Sequence, residues 1–265
     1  MTYRLDGAVV LVTGGVRGVG LGITRAFLRA GATVVTCARR PAEQPVDDVE
    51  HVTTDVRDPE QVARLVEHIV ARHGRLDVLV NNAGGAPPAR AADASPRFHS
   101  KIVELNLLSP LLVSQAANAV MQRQPGGGSI VMVSSVSASR PSPGTAAYGA
   151  AKAGLNNLTA SLAVEWAPKV RVNALGVGMV RTELSELHYG DEAGIAAVGK
   201  TVPLGRLAEP DEIGTCAVFL ASPLASYVSG ATLLVHGGGE VPAWLGASTA
   251  DNAMSDLAGF SRESR

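Results

Sequence analysis

Seven short apolar runs alternate along the chain with longer segments of helical period, and few folds accommodate that order. The runs Ala8–Thr13, Thr33–Cys37, His51–Thr54, Val78–Asn81, Ser129–Ser134, Val170–Ala174 and Thr232–Val235 are rich in β-branched residues and nearly all apolar. Strands buried on both faces read this way. Between them, Gly18–Ala30, Pro59–His73, Pro96–Gln122, Ala146–Ala167 and Glu209–Leu220 read as helices, several opening near Pro or an acid. The alternation predicts an α/β fold: a single-domain, doubly wound parallel sheet of about seven strands, Rossmann-like, with helices on both faces. The 265 residues, 46% apolar, can bury such a core and show no linker, repeat or break in composition. The domain is expected over residues 1–240, with 241–265 as a C-terminal extension whose end is polar enough to be loose.

Several classes drop out early. Net charge is -1 with no block of like charges, so neither nucleic acid nor an anionic membrane is an expected partner. Apolar runs break well before the roughly 18 residues that a membrane span needs. Met1–Gly7 lacks the apolar stretch of a secretory signal, which makes a cytoplasmic location the default. Cys37 and Cys216 fit no disulfide framework, and the six His lack ligand spacing, so no metal is expected.

Two regions carry chemistry. After the first strand comes Thr13-Gly14-Gly15-Val16-Arg17-Gly18-Val19-Gly20. Glycines 14, 18 and 20 allow a tight turn and close approach of backbone to a pyrophosphate, at the positive end of a helix. A plain tight turn has the same composition, and Leu21 replaces the Lys of a Walker A loop. The second strand ends in Ala38-Arg39-Arg40, where an acid would bind adenosine ribose hydroxyls. With no acid present, Arg39 is placed for a 2′-phosphate and Arg17 for the same group. NADP(H) is therefore favoured, with NAD(H) possible. Further on, Tyr148 and Lys152 stand four residues apart on one helix face, thirteen residues beyond Ser135. An ammonium near a phenol lowers its pKa from about 10 and fits it for proton exchange with an alcohol or carbonyl. On spacing alone, an unrelated Tyr and Lys on a surface helix fit equally well.

Taken in order, these motifs resemble the short-chain dehydrogenase/reductase family. The likeness is to the single-domain type that includes 3-oxoacyl-carrier-protein reductases and hydroxysteroid dehydrogenases. It runs from about Leu5 to Gly238, through the glycine loop, Asp55-Val56, Asn81-Asn82-Ala83-Gly84, Asn106, Ser135, Tyr148, Lys152 and Arg171-Val172-Asn173-Ala174. The resemblance implies a ketone–alcohol oxidoreductase with Asn106, Ser135, Tyr148 and Lys152 as catalytic residues. Tyr148 would be the acid in reduction, with Lys152 lowering its pKa and touching the nicotinamide ribose. Ser135 would hold the carbonyl oxygen, and Asn106 would support a water leading toward Lys152. Cofactor contacts are implied for Gly14, Arg17, Gly18, Val19, Gly20, Arg39, Asp55, Val56, Asn81, Ala83, Gly84, Tyr148, Lys152, Val180 and Thr182. Many relatives are homotetramers. The apolar outer face of Ala146–Ala167 suits that assembly or is simply poor in charge.

Three features depart from the family pattern. The stretch from Arg40 to Glu50 is too short and proline-rich for the usual helix there. Val177-Gly178 stands where Pro-Gly is usual, and about 25 residues follow Gly239. Rival readings are a hydrolase, which lacks a GxSxG elbow, and an enoyl reductase, whose Tyr and Lys are separated by six residues rather than three. A non-catalytic NADP-binding sensor of the same fold is the main alternative, although such a protein would be expected to lose Ser135, Tyr148 or Lys152. The segment Glu183–Val202, with Leu184, Leu187, Tyr189, Ile195 and Val198, suits an apolar acyl or alicyclic ketone as small-molecule substrate.

Overall fold

A computed structural model describes residues 4–41 and 45–247. Its centre is one seven-stranded parallel sheet, ordered β3-β2-β1-β4-β5-β6-β7. The strands are β1 (Val9–Thr13), β2 (Thr33–Ala38), β3 (Val49–Thr53), β4 (Val78–Asn81), β5 (Gly128–Ser135), β6 (Val170–Val177) and β7 (Thr232–Val235). Side chains alternate across each strand, so one sequence run serves two cores. Val9 and Leu11 face a core shared with α2 (Pro59–His73), α4 (Ser109–Met121) and α5 (Ala146–Glu165). Val10 and Val12 face the other core, against α1 (Gly18–Arg29) and α8 (Pro210–Ala221). This is the expected doubly wound architecture.

Some boundaries differ from expectation. β3 begins at Val49 rather than His51, paired from Val34↔Val49 to Ala38↔Thr53. Residues 45–48 form no helix, and the rest of that short connection includes residues 42–44, outside the described residues. The single helix expected over Pro96–Gln122 is in fact α3 (Pro96–Val103), a π-helical turn (Glu104–Leu108) and α4. Within the π turn the Asn106 side-chain amide donates to the Ile102 carbonyl at 2.9 Å. Two helices in the segment after β6 went unforeseen, α6 (Ser185–Tyr189) and α7 (Glu192–Lys200). Asp191 caps α7 by accepting from the Gly194 N–H at 3.0 Å, a signal present in the sequence. Beyond β7 a short helix, α9 (Ala243–Ala247), opens the extension, whose remainder lies outside the described residues. No helix among the described residues is long and apolar enough to cross a membrane.

Arg171 explains part of the Arg-Val-Asn-Ala motif. Its guanidinium, in β6, donates to the carbonyls of Leu220 and Val228 at 2.8 and 3.2 Å, and to those of Ala221 and Ser222 at 3.2 and 3.3 Å. It thereby caps the C-terminal end of α8, where carbonyls lack helical partners and the dipole favours a cation. Arg171→Ala is expected to lower stability by about 1–3 kcal/mol in urea unfolding, without altering the cofactor site.

Candidate active site

The expected site residues gather along the carboxyl edge of the sheet. Strand order reverses between β1 and β4, and ligands of open α/β sheets bind at such a switch point. Gly14 turns the chain out of β1 at φ +64°, and a Cβ there would lie 3.1 Å from Ala83 Cα. A Cβ on Gly20 would overlap the Gly14 carbonyl oxygen. The turn therefore needs glycine for shape and for space. Asn82 holds it to β4, donating from Nδ2 to the carbonyls of Thr13 and Gly14 at 3.0 and 3.1 Å. Thr13 Oγ1 accepts from the N–H groups of Asn82 and Ala83, both at 3.0 Å.

Gly18, Val19 and Gly20 open α1. Its N-cap residue, Arg17, supplies no side-chain cap, and the first turn holds no acid. N–H groups of the first turn and the positive helix end are thus open to an anion, and the Glu183 carboxylate oxygens lie 3.7 Å from where a Gly18 Cβ would stand. Thr182 crosses in front, its methyl 3.5 Å from where a Gly18 Cβ would stand. Thr182 Oγ1 accepts from the Leu184 N–H at 3.3 Å, and its own N–H donates to Ser185 Oγ at 2.9 Å. Val180 is anchored by a parallel bridge to Ala208. Arg17 and Arg39 are exposed and form no ion pair among the described residues. This donor set fits a dinucleotide, and the acid-free end of β2 fits one bearing a further phosphate.

Asp55 and Val56 follow β3, with Val56 buried. The Asp55 carboxylate is clamped by Arg57, Nε to Oδ1 at 2.9 Å and Nη2 to Oδ2 at 2.6 Å. The Arg57 hydrogen bond keeps Asp55 below the ordinary carboxylate range, a partner that the sequence reading passed over. Asn81 meets the site through its backbone, as the resemblance implies, because its side chain is engaged in the core. Its side chain is buried and donates to Ser114 Oγ at 2.8 Å and Met132 Sδ at 3.2 Å, so only its backbone lies along the edge.

Ser135 ends β5, and α5 presents Tyr148 and Lys152 to it. Ser135 Oγ accepts from the Ser137 N–H at 3.1 Å and stands near enough to the Tyr148 phenol to draw its pKa down. Lys152 is 4% exposed; its Nζ donates to the Val133 carbonyl at 2.7 Å and lies 5.6 Å from the Tyr148 ring centroid. Burial brings its pKa down to about 8. Burial also pushes the Tyr148 phenol up, against a downward pull from Ser135. The expected lowering by Lys152 is thus not the leading effect: the ammonium sits over the ring and is directed to Val133.

Asn106 is fully buried in the π turn. Oδ1 accepts from the Gly85 N–H and Nδ2 donates to the Gly85 carbonyl, both at 2.9 Å. A Cβ on Gly84 would lie 2.7 Å from Asn106 Oδ1 and 3.5 Å from Lys152 Nζ. Asn106, Gly84 and Lys152 therefore form one packed unit. Beside Tyr148 a small cavity of about 10 Å³ is lined by Pro87, Phe98, His99, Ile102 and Thr145.

The chain is similar to known proteins over nearly its whole length. A family model described as Enoyl-(Acyl carrier protein) reductase matches residues 14–240. The chain is 35% identical to a 3alpha-hydroxysteroid dehydrogenase of Mediterraneibacter gnavus, over 89% of this chain and 98% of the relative. It is similar to the ligand-free aldohexose dehydrogenase of Thermoplasma acidophilum, with a TM-score of 0.86, 32% identity, and 94% and 98% of the two chains covered. It is also similar to a gluconate 5-dehydrogenase of Burkholderia cenocepacia in complex with NADP and tartrate, with a TM-score of 0.81, 32% identity, and 89% and 96% covered. The chain belongs to the short-chain dehydrogenase/reductase family and is an NAD(P)-dependent oxidoreductase acting on CH–OH groups.

Proposed function

We propose that this enzyme reduces a ketone to a secondary alcohol with NADPH. The observation that carries the reading is the meeting of Ser135, Tyr148 and Lys152 beside an uncapped, glycine-lined helix end. The nicotinamide, when bound, supplies the hydride. Tyr148 gives its phenolic proton to the carbonyl oxygen, and in the reverse direction takes it back. Ser135 holds that oxygen by a hydrogen bond as its negative charge grows. Lys152, whose ammonium is buried over the Tyr148 ring, binds the nicotinamide ribose and favours the phenolate left after proton transfer. Asn106 fixes Gly85 and the π turn, which keeps the floor beside Lys152 in place. Asp55 and Val56 border the adenine; Gly14, Val19, Asn81, Ala83, Gly84, Val180 and Thr182 line the rest of the cofactor. The three-residue interval between Tyr148 and Lys152 favours carbonyl over enoyl reduction. Leu184, Leu187, Ile195 and Val198 favour an apolar or acyl-type substrate body.

Arg39 and Arg17 are the basis for choosing NADPH over NADH, and the NADP bound by the gluconate 5-dehydrogenase supports that choice. NADPH is expected to bind at least about tenfold more tightly than NADH, equivalent to about 1.4 kcal/mol. Arg39→Ala should shrink the gap and leave NADH affinity nearly unchanged. A fluorescence titration checks both, and equal affinities in the wild type contradict the assignment.

The same reading includes a homotetramer. Leu108 is 53% exposed, Val164 on α5 80% and Leu234 on the edge strand β7 55%, apolar surface suited to a second copy. Light scattering at micromolar concentration is expected to give a tetramer; a monomer contradicts it.

A further inference from the structure

We propose that Arg140 selects the substrate: a ketone or secondary alcohol with a carboxylate remote from its reacting carbon, which displaces Glu240 from the guanidinium. The inference rests on the ketone–alcohol reading above and adds the substrate's charge to it.

Arg140 lies in the loop that joins Ser135 to Tyr148, and is the single arginine between them. Its Nη2 pairs with Glu240 Oε1 at 2.8 Å. Glu240 comes from the chain beyond β7, which is fastened to the end of α7. The Leu204 N–H donates to the Gly237 carbonyl at 3.1 Å, and the Val241 N–H to the Thr201 carbonyl at 2.9 Å. Tyr189, at the end of α6, is half-buried; burial raises its phenol, Arg140 draws it down and Glu240 pushes it up. Three segments thus meet at this arginine: the loop of the proton-transfer residues, the expected substrate segment and the C-terminal strap.

The pairing has the form of a displaceable contact. Where the fold clamps a carboxylate, two arginine nitrogens engage, as in Arg57–Asp55 and in Arg206–Glu212 at 2.7 and 2.8 Å. Arg140 and Glu240 approach as an ion pair at 2.8 Å, and Arg140 shows no aligned side-chain hydrogen bond to any acceptor among the described residues. The two partners are 39% and 38% exposed. An ion pair this open to water and without aligned hydrogen bonds is held weakly. A guanidinium binds a carboxylate best through two parallel N–H donors, and exclusion of water by an apolar substrate body strengthens that contact.

The test uses a series of ketones of graded length ending in a carboxylate, each beside its methyl ester, with NADPH as reductant. In the wild type, kcat/KM is expected to favour the acid over the ester by at least roughly tenfold, chiefly through KM. Arg140→Met should bring the ratio close to one, and Arg140→Lys should restore part of it. Glu240→Gln should lower KM for the acid by removing the competing carboxylate. Thermal unfolding of each variant separates a lost fold from a lost contact. An acid-to-ester ratio near one in the wild type, or a ratio that survives in Arg140→Met, overturns the proposal alone. If neither acid nor ester is reduced by protein that binds NADPH, the ketone–alcohol reading fails and the proposal with it.

Discussion

Tyr148→Phe is expected to cut ketone-dependent NADPH oxidation by about 10²–10⁴-fold while leaving NADPH affinity within a factor of about two. The substitution removes one oxygen. The ring stays, and with it the face over which Lys152 Nζ lies 5.6 Å from the centroid. The Ser135 hydroxyl keeps the Ser137 N–H at 3.1 Å, so the end of β5 should hold its shape. The loss should therefore appear in kcat and kcat/KM together, as for an interaction made in the transition state. Ser135→Ala should fall in the same direction with cofactor binding intact, because it removes the hydrogen bond to the developing oxyanion rather than the proton donor.

Lys152→Met should lose both turnover and cofactor affinity, and it should carry a distinct pH signature in stability. Burial lowers the folded-state pKa of Lys152 from 10.5 to about 8. Below about pH 8 both folded and unfolded chains hold the proton, and this residue adds no slope. Between about 8 and 10.5 the unfolded chain binds more protons, so the wild type gains stability as pH rises through that window. The methionine variant has nothing to titrate there. It should be the more stable protein near neutral pH, because no ammonium has to be buried, and its advantage should shrink toward pH 10.5. The change is on the order of 3 kcal/mol across the window. Urea unfolding of both proteins at a series of pH values measures it. A constant difference would mean that the Val133 carbonyl contact at 2.7 Å compensates for burial.

The sheet was legible because buried parallel strands are written as β-branched runs, and that pattern located all seven strands to within a few residues. The π turn was not legible. Glu104–Leu108 has ordinary helical composition, and what stabilises the wider turn is a tertiary bond, from Asn106 to the Gly85 backbone. The short helices α6 and α7 were missed because five and nine residues give too little periodicity to rise above a loop, although Asp191 marks the start of α7. At the site, helical spacing put Tyr148 and Lys152 on one face, as the structure has them. Spacing carries no information on desolvation, and desolvation decides both pKa directions. Arg57 was overlooked for a related reason: a charged residue two positions from Asp55 reads as solvated surface until the pair is seen to close at 2.6 Å. The second glycine-loop anchor, Asn82, has its signal in Asn81-Asn82. Which of the two turns inward depends on strand register, fixed by pairing with β1 and β5.

The most direct test of the account follows the two hydrogens that make the alcohol. Protein is incubated with NADPH carrying deuterium at nicotinamide C4, each epimer in turn, and with the ketone series; products are analysed by mass spectrometry. The account predicts that one epimer yields a secondary alcohol with a single deuterium on the carbinol carbon. One alcohol should form per NADPH lost, and Tyr148→Phe should produce almost none. Tight NADPH binding with no labelled alcohol from any ketone would contradict the account and leave a protein that binds the cofactor without using it.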